Sequence, residues 1–231
     1  MDGNSYVDIF ATKGLEYLMT ILYICLIIPF WILLNKKSRK YVVDKIRTLT
    51  LNILKIPKGI FFSKNYTWSF LQKDGNAKVG INDLLQHFIG KVKINNLKKE
   101  GDIIKKGQVI TLINKDNDKL LKIYSPISGR IIKNNYRLEE NSELLNNPYD
   151  DGWFYIIEPD NWIKDTNNYL LSENAINWFS NQITYFKDFL SKNLSMDNNM
   201  ALQDGGELID NTLSELPSDV WNNFQKEFLD N

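Results

Sequence analysis

One cysteine and one histidine are all that 231 residues contain of those two types. Cys25 has no partner for an internal disulfide, so bridges contribute nothing to the fold. A zinc site built from His and Cys needs several such ligands, and Cys25 and His87 lie far apart in sequence. A Ser-His-Asp or Cys-His arrangement would have to use His87. The 12 glycines and 6 prolines exclude a collagen-like repeat, and a 43% hydrophobic content excludes a fully disordered chain. No phosphate-binding glycine loop stands out. The paired carboxylates Glu139-Glu140 and Asp150-Asp151 fall in loops, where they read as solvated charge.

Net charge is also lacking, at zero, but this hides an asymmetry. Residues 36–133 hold 22 Lys and Arg against 7 Asp and Glu, whereas residues 134–231 hold 5 against 18. The basic middle suits an anionic surface and the acidic end a basic partner. No nucleic-acid module accompanies the basic stretch, so proximity to a membrane explains it better and nucleic acid is not expected as a partner.

What is present begins with one long apolar run. Residues 17–35 carry no charge over 19 positions, and LMTILYICLIIPFWILL within them is almost wholly apolar. At about 1.5 Å per residue this matches a hydrocarbon core of roughly 30 Å. Tyr17 and Trp31 stand near its ends, as interfacial aromatics do, and Pro29 is a tolerated kink. A cleaved signal peptide would want positive charge before the run, and Asp2, Asp8 and Glu16 outnumber Lys13 there. The expectation is a short non-cytoplasmic N-terminus at 1–14 and a transmembrane helix at 15–35. Lys36, Lys37, Arg39, Lys40, Lys45 and Arg47 follow, so the positive-inside bias puts the remaining chain in the cytoplasm of a single-pass inner-membrane protein.

Val42, Val43, Ile46, Leu49 and Ile53 are spaced for a basic juxtamembrane helix over 36–57, ended by Pro57 and Gly59. From 58 to 160 short runs are split by the turn signals KDGN, KKEGD, KKGQ, NKDND, SPISG and NNPYDDG, the pattern of a small mainly-β domain. One helix is expected inside it, over 84–89, capped by Asp83. Beyond 160 helical spacing returns. Ser172 is a fair N-cap, and Ile176, Phe179, Ile183, Phe186 and Leu190 form one stripe. Residues 197–206 read as a polar linker. Pro217 and Ser218 start a last short helix bearing Val220, Trp221, Phe224 and Phe228. This extension, 161–231, has two readings. Its stripes pack on the β domain, or Trp178, Phe179, Phe186, Trp221 and Phe224 dock another subunit.

A series of motifs runs through the β region: Trp68, Asp74-Gly75, VGIND at 79–83, Gln86 with Ile89-Gly90, and LKKEGDIIKKGQ at 97–108. YSPISG at 124–129, Asn134 or Asn135, and LLNNPYDDGW at 144–153 complete it. In order and spacing this resembles the H protein of the glycine cleavage system. The resemblance implies a flattened barrel of two small sheets, the barrel-sandwich hybrid that lipoyl and biotinyl domains also use, with Trp153 closing one end of the core. It also implies a lysine at a hairpin tip that receives lipoate through an amide bond. The usual tip reads glu-ser-val-lys-ala, and that motif is absent. The family lysine lies ten residues after the glycine matched by Gly107 and eight before the proline matched by Pro126, and those places hold Asn117 and Asp118. Lys119 follows Asp118, as in the asp-lys tip of related lipoyl domains, and is the candidate acceptor. A shift of one residue changes the face a strand side chain uses. The simpler parse is strand 110–113, turn NKDND and strand 120–124, with Lys115 and Lys119 as solvated lysines and no cofactor.

His87 reads as a partly exposed surface histidine, and no metal ligand set surrounds it in sequence. The reading as a whole is a non-catalytic, membrane-anchored H-protein-like accessory or scaffold subunit of a larger membrane complex, with a redox assembly as its setting and without a cofactor. Two alternatives stand beside it. One is a membrane-tethered lipoyl carrier using Lys119. The other is an efflux-adaptor-like protein, which the charge flanks and the lack of long paired helices disfavour.

Overall fold

The computed structural model describes residues 9–34, 48–116, 118–194 and 208–230. Most of the N-terminus at 1–14, residues 36–47 of the expected juxtamembrane helix and the linker at 197–206 lie outside the described residues. The chain divides into two units, Met1–Ile46 and Arg47–Asn231.

In the first unit, helix α1 spans Ile9–Leu34, with Pro29 inside it. Its 26 residues extend about 39 Å. The described side chains, Gly14 and 16–31, are all exposed. Among the described residues no helix is long and apolar enough to cross a membrane, so the span expected at 15–35 is not shown by the structure.

The second unit opens with a difference from expectation. Thr48 forms a β-bridge with Ile209, and Leu49 N–H donates to the Leu208 carbonyl at 2.6 Å. Leu51–Ile53 then makes one 3-10 turn. The described part of the expected juxtamembrane helix is therefore not α-helical. Backbone pairing to a segment far along the chain overrides local apolar spacing there.

Nine strands follow. β1 (Phe61–Phe62), β2 (Thr67–Leu71) and β3 (Ala77–Ile81) precede α2 (Asp83–Ile89). Then come β4 (Lys93–Asn96), β5 (Ile103–Ile104), β6 (Val109–Lys115), β7 (Lys119–Tyr124), β8 (Gly129–Asn134), α3 (Tyr136–Glu140) and β9 (Tyr155–Pro159). They form a six-stranded sheet in the order β1-β2-β3-β9-β8-β5 and a three-stranded sheet β4-β6-β7. Every pairing is antiparallel. The two sheets enclose one core that includes Trp68, Val79, Ile113, Leu121, Ile131 and Ile157. This is the mainly-β sandwich that the turn spacing implied. Trp153 is half-buried against that core. Gly129, which ends YSPISG, has φ +155°, and a Cβ there would lie 2.1 Å from the Glu158 carbonyl oxygen. The close approach of β8 to β9 leaves no room for a side chain.

Asn82, not Asp83, caps α2: its side chain accepts from Leu85 N–H at 2.9 Å. Asp83 is the first helical residue, and its carboxylate accepts from Lys55 N–H at 2.7 Å.

The C-terminal part is helical as expected. α4 (Trp162–Thr166), α5 (Ser172–Leu194) and α6 (Ser218–Phe224) are followed by one π-helical turn, Gln225–Leu229. α5 buries Ala175, Phe179, Ile183, Phe186, Phe189 and Leu190. Ile176 lies off the stripe and is 41% exposed; Ala175 takes its place. Phe179 meets Phe62 edge-on at 5.3 Å, and Phe186 stacks on Phe88 of α2 at 3.9 Å. The residues expected to dock a second subunit are mostly internal. Phe179, Phe186, Trp221 and Phe224 have no exposed surface, and Trp178 is half-buried against Tyr66 at 5.1 Å. The aromatic stripes are this protein's own core, because α5 and α6 bury them against each other and against α2.

Candidate functional site

The β6–β7 hairpin pairs Lys115 with Lys119, Asn114 with Leu120, Ile113 with Leu121 and Leu112 with Lys122. Both strands run further toward the turn than the sequence parse placed them, to Lys115 and from Lys119. Asp116 takes φ +58°, a conformation that Asp tolerates better than most residues. Strand alternation then fixes which way Lys119 points. Leu121 and Ile123 of β7 are buried and Leu120 and Lys122 exposed. Lys119 has the parity of the buried set. Its side chain is only 14% exposed, its Nζ donates to the Ser214 carbonyl at 3.2 Å, and Asp116 lies 3.8 Å away. It is a clasped lysine, not a solvated one. Lys115 donates across to the Lys91 carbonyl at 3.1 Å.

The clasp belongs to residues 208–230, which run along β7. Ser218 Oγ is hydrogen-bonded to the Asp118 carboxylate. The Gln225 side chain accepts from Lys122 N–H at 2.8 Å and donates to the Lys122 carbonyl, so it satisfies the free backbone edge of β7. Tyr124 donates to Asp230 at 2.6 Å; burial and the Asp230 carboxylate push its pKa up to about 12, so the hydroxyl stays a donor at neutral pH. At the other end of the segment His87 Nδ1 and Asp210 Oδ1 are 2.7 Å apart, and His87 Nε2 and Asp83 Oδ2 3.5 Å. Asn211 N–H also donates to the His87 carbonyl at 2.7 Å. His87 is thus partly exposed, as expected, with its side chain 20% exposed, but it is also pinned between two carboxylates.

Near the base of the hairpin a cavity of about 270 Å³ is lined by Lys106, Tyr124, Ser125, Tyr169 and Asp230, among others. Several of its polar groups already have partners: Lys106 donates to the Asp165 carbonyl at 2.5 Å and Tyr169 to the Pro126 carbonyl. Among the described residues no group of His, Cys, Asp and Glu is placed to hold a metal ion.

The hairpin offers an amine of the kind that lipoate attachment requires. Lys119 supplies it in a sheltered position, and the family's own acceptor places carry Asn117 and Asp118. Sequence reading found Lys119 and His87 but missed Asp210, Ser214, Ser218 and Gln225. These partners lie 95 to 123 positions from Lys119, Asp118, Lys122 and His87, and no local pattern marks them.

The sequence profile of the family described as Glycine cleavage H-protein matches residues 60–183. The glycine cleavage system H protein of Psychrobacter cryohalolentis is 35% identical over 107 residues, 46% of this chain and 84% of that protein. The glycine cleavage system H protein of Thermus thermophilus is 32% identical over 105 residues, 45% of this chain and 80% of that protein. A crystal structure of a glycine cleavage system H protein from Mycobacterium marinum is similar at a TM-score of 0.46 and 18% identity, over 55% of this chain and 98% of that one. The profile takes in both sheets, the β6–β7 hairpin and the first part of α5, and residues 208–230 lie beyond it. Over more than half its length, the chain belongs to the glycine cleavage H-protein family.

Proposed function

We propose that this protein is a non-catalytic, membrane-tethered carrier of the H-protein type, with Lys119 as its lipoyl acceptor and other glycine cleavage proteins as its partners. The observation that carries the reading is the family match across the whole β domain, combined with an amine beside the hairpin turn. The match supports a carrier more directly than an accessory subunit of a membrane redox complex. The aromatic helices that suggested such a subunit are buried within this chain. Lipoate on Lys119 would supply a mobile dithiolane that carries a group between partners. To accept it, Lys119 gives up its hydrogen bond to Ser214. A neutral pair of this kind contributes about 1 kcal/mol and a charged one up to about 3, so the amine can turn outward without unfolding the domain. The tether rests on the sequence: the uncharged run at 17–35 and the six basic residues that follow, which favour a cytoplasmic domain.

One observation favours a second reading, an H-protein-like accessory subunit without lipoate: the Lys119 side chain is only 14% exposed and its amine is bonded to the C-terminal segment. Intact mass spectrometry of the full chain, purified in mild detergent from its native membrane, separates the two. The carrier reading expects a gain of one lipoyl group, mapped to Lys119 and lost in Lys119→Arg. An unmodified chain that copurifies with other subunits in fixed ratio would replace it with the accessory reading.

A further inference from the structure

Residues 208–230 lie outside the family match, yet they touch the hairpin at Asp118, Lys119, Lys122 and Tyr124. The far part of this segment is anchored by a core that will not open readily. Trp221 and Phe224 have no exposed surface, and Phe228 and Leu229 are 3% and 1% exposed. The near part is built differently. It is a single 3-10 turn, Thr212–Glu215, entered through Asn211 at φ +63° and seated by one buried apolar side chain, Leu213. That turn carries the Ser214 carbonyl that holds Lys119. It is tied down by Asp210 on His87, by Asn211 N–H on the His87 carbonyl, and by the Trp221 indole N–H, which donates to the Leu213 carbonyl at 2.7 Å. Asp210 and Ser214 are four positions apart, so the ion pair and the lysine clasp sit on the two ends of one short turn. Asn211 also packs against Gly90 at the end of α2, where an added Cβ would lie 3.0 Å from the Asn211 side chain.

From this we infer that the turn 210–215 is a gate over Lys119 and that the imidazolium of His87, held between Asp83 and Asp210, is its latch. With the latch closed, Ser214 holds Nζ inward and an acylating enzyme meets a covered amine. With the latch charge removed, the turn loosens while α6 stays anchored, and Lys119 turns out to solvent. The bearing of the gate on modification rests on the carrier reading, but the sheltering of Lys119 does not. The titratable groups that face the imidazole are Asp83 from its own helix and Asp210 from the gate. Burial pulls the His87 pKa down, but the hydrogen bonds and charges of Asp210 and Asp83 outweigh it and raise the pKa to about 9. The latch is therefore charged at neutral pH.

The test is the rate at which acetic anhydride labels each lysine of the full-length chain in detergent, read by peptide mass spectrometry. Lys91, whose side chain is 82% exposed, is the internal reference. At pH 7 Lys119 should react about tenfold more slowly than Lys91, as loss of a charge-assisted hydrogen bond must precede reaction. Asp210→Asn, which keeps the shape and removes the charge, should raise the ratio severalfold, as should taking the wild type above pH 9. Equal rates for Lys119 and Lys91 at pH 7 would overturn the gate. So would an unchanged ratio in Asp210→Asn with a wild-type circular dichroism spectrum. Should that variant fail to fold, the pH series on the wild type decides, and a flat ratio through pH 10 overturns the latch. A slow Lys119 in a chain that carries no lipoate would sink the carrier reading and leave the gate standing.

Discussion

A histidine between two carboxylates is a charged residue at neutral pH, and its charge is linked to folding. His87 has a pKa of about 9 in the folded chain against an ordinary value of 6.5. The folded value is the higher one, so the stabilisation is complete below pH 6.5 and is lost as pH rises through about 9. At 1.36 kcal/mol per unit the total is at most about 3 kcal/mol. Thermal unfolding followed from pH 6 to 10 should show the wild type losing stability across that window and His87→Gln showing no such loss. A wild-type profile that is flat there would mean that the pair is not ionic. A second prediction at this scale concerns Gly129. Its position was legible in the YSPISG motif, but the reason for glycine was not, because the Glu158 carbonyl that fills the space comes from another strand. Gly129→Ala should cost at least about 3 kcal/mol, read as a lowered urea midpoint.

Between elements, the aromatic cluster joining α2, α5 and α6 decides the architecture of the C-terminal part. Phe224 is fully buried and stacks on Phe228 at 4.5 Å, with Phe186 at 5.7 Å and Phe88 at 6.0 Å. Phe224→Ala removes a ring from all of these and should cost about 3–5 kcal/mol by urea unfolding. If the helices instead presented the ring to a partner subunit, the isolated chain would lose less than about 1 kcal/mol. Helical spacing made the stripe on α5 legible, apart from the exchange of Ile176 for Ala175. It could not say what the stripe faces, since a stripe meant for a neighbouring subunit and one meant for the chain's own sheet look alike in sequence. The hairpin shows the same limit. Alternating residues indicated strands on both sides of NKDND, but extending each strand to Lys115 and Lys119 changed two solvated lysines into one that crosses to Lys91 and one that is clasped.

For the whole molecule, the question is attachment. An apolar helix holds a chain in a membrane regardless of salt, whereas basic patches on anionic lipid are screened when the Debye length falls to about 3 Å at 1 M salt. The tethered reading expects the full chain to stay with washed native membranes at 1 M salt and to need detergent for release. Release by salt alone would leave the basic residues at 36–47 as the attachment and remove α1 as an anchor.

The sequence by itself determined the mainly-β domain, its turns, its family and the helical character of the C-terminal part. These follow from side-chain period, turn chemistry and motif order, all of which act over a few residues at a time. Only the tertiary structure decided that residues 208–230 return to pair with Leu49, pin His87 and cover the hairpin. It also decided that Lys119 faces inward. Those outcomes rest on hydrogen bonds between residues roughly a hundred or more positions apart, and no local pattern encodes such a partner.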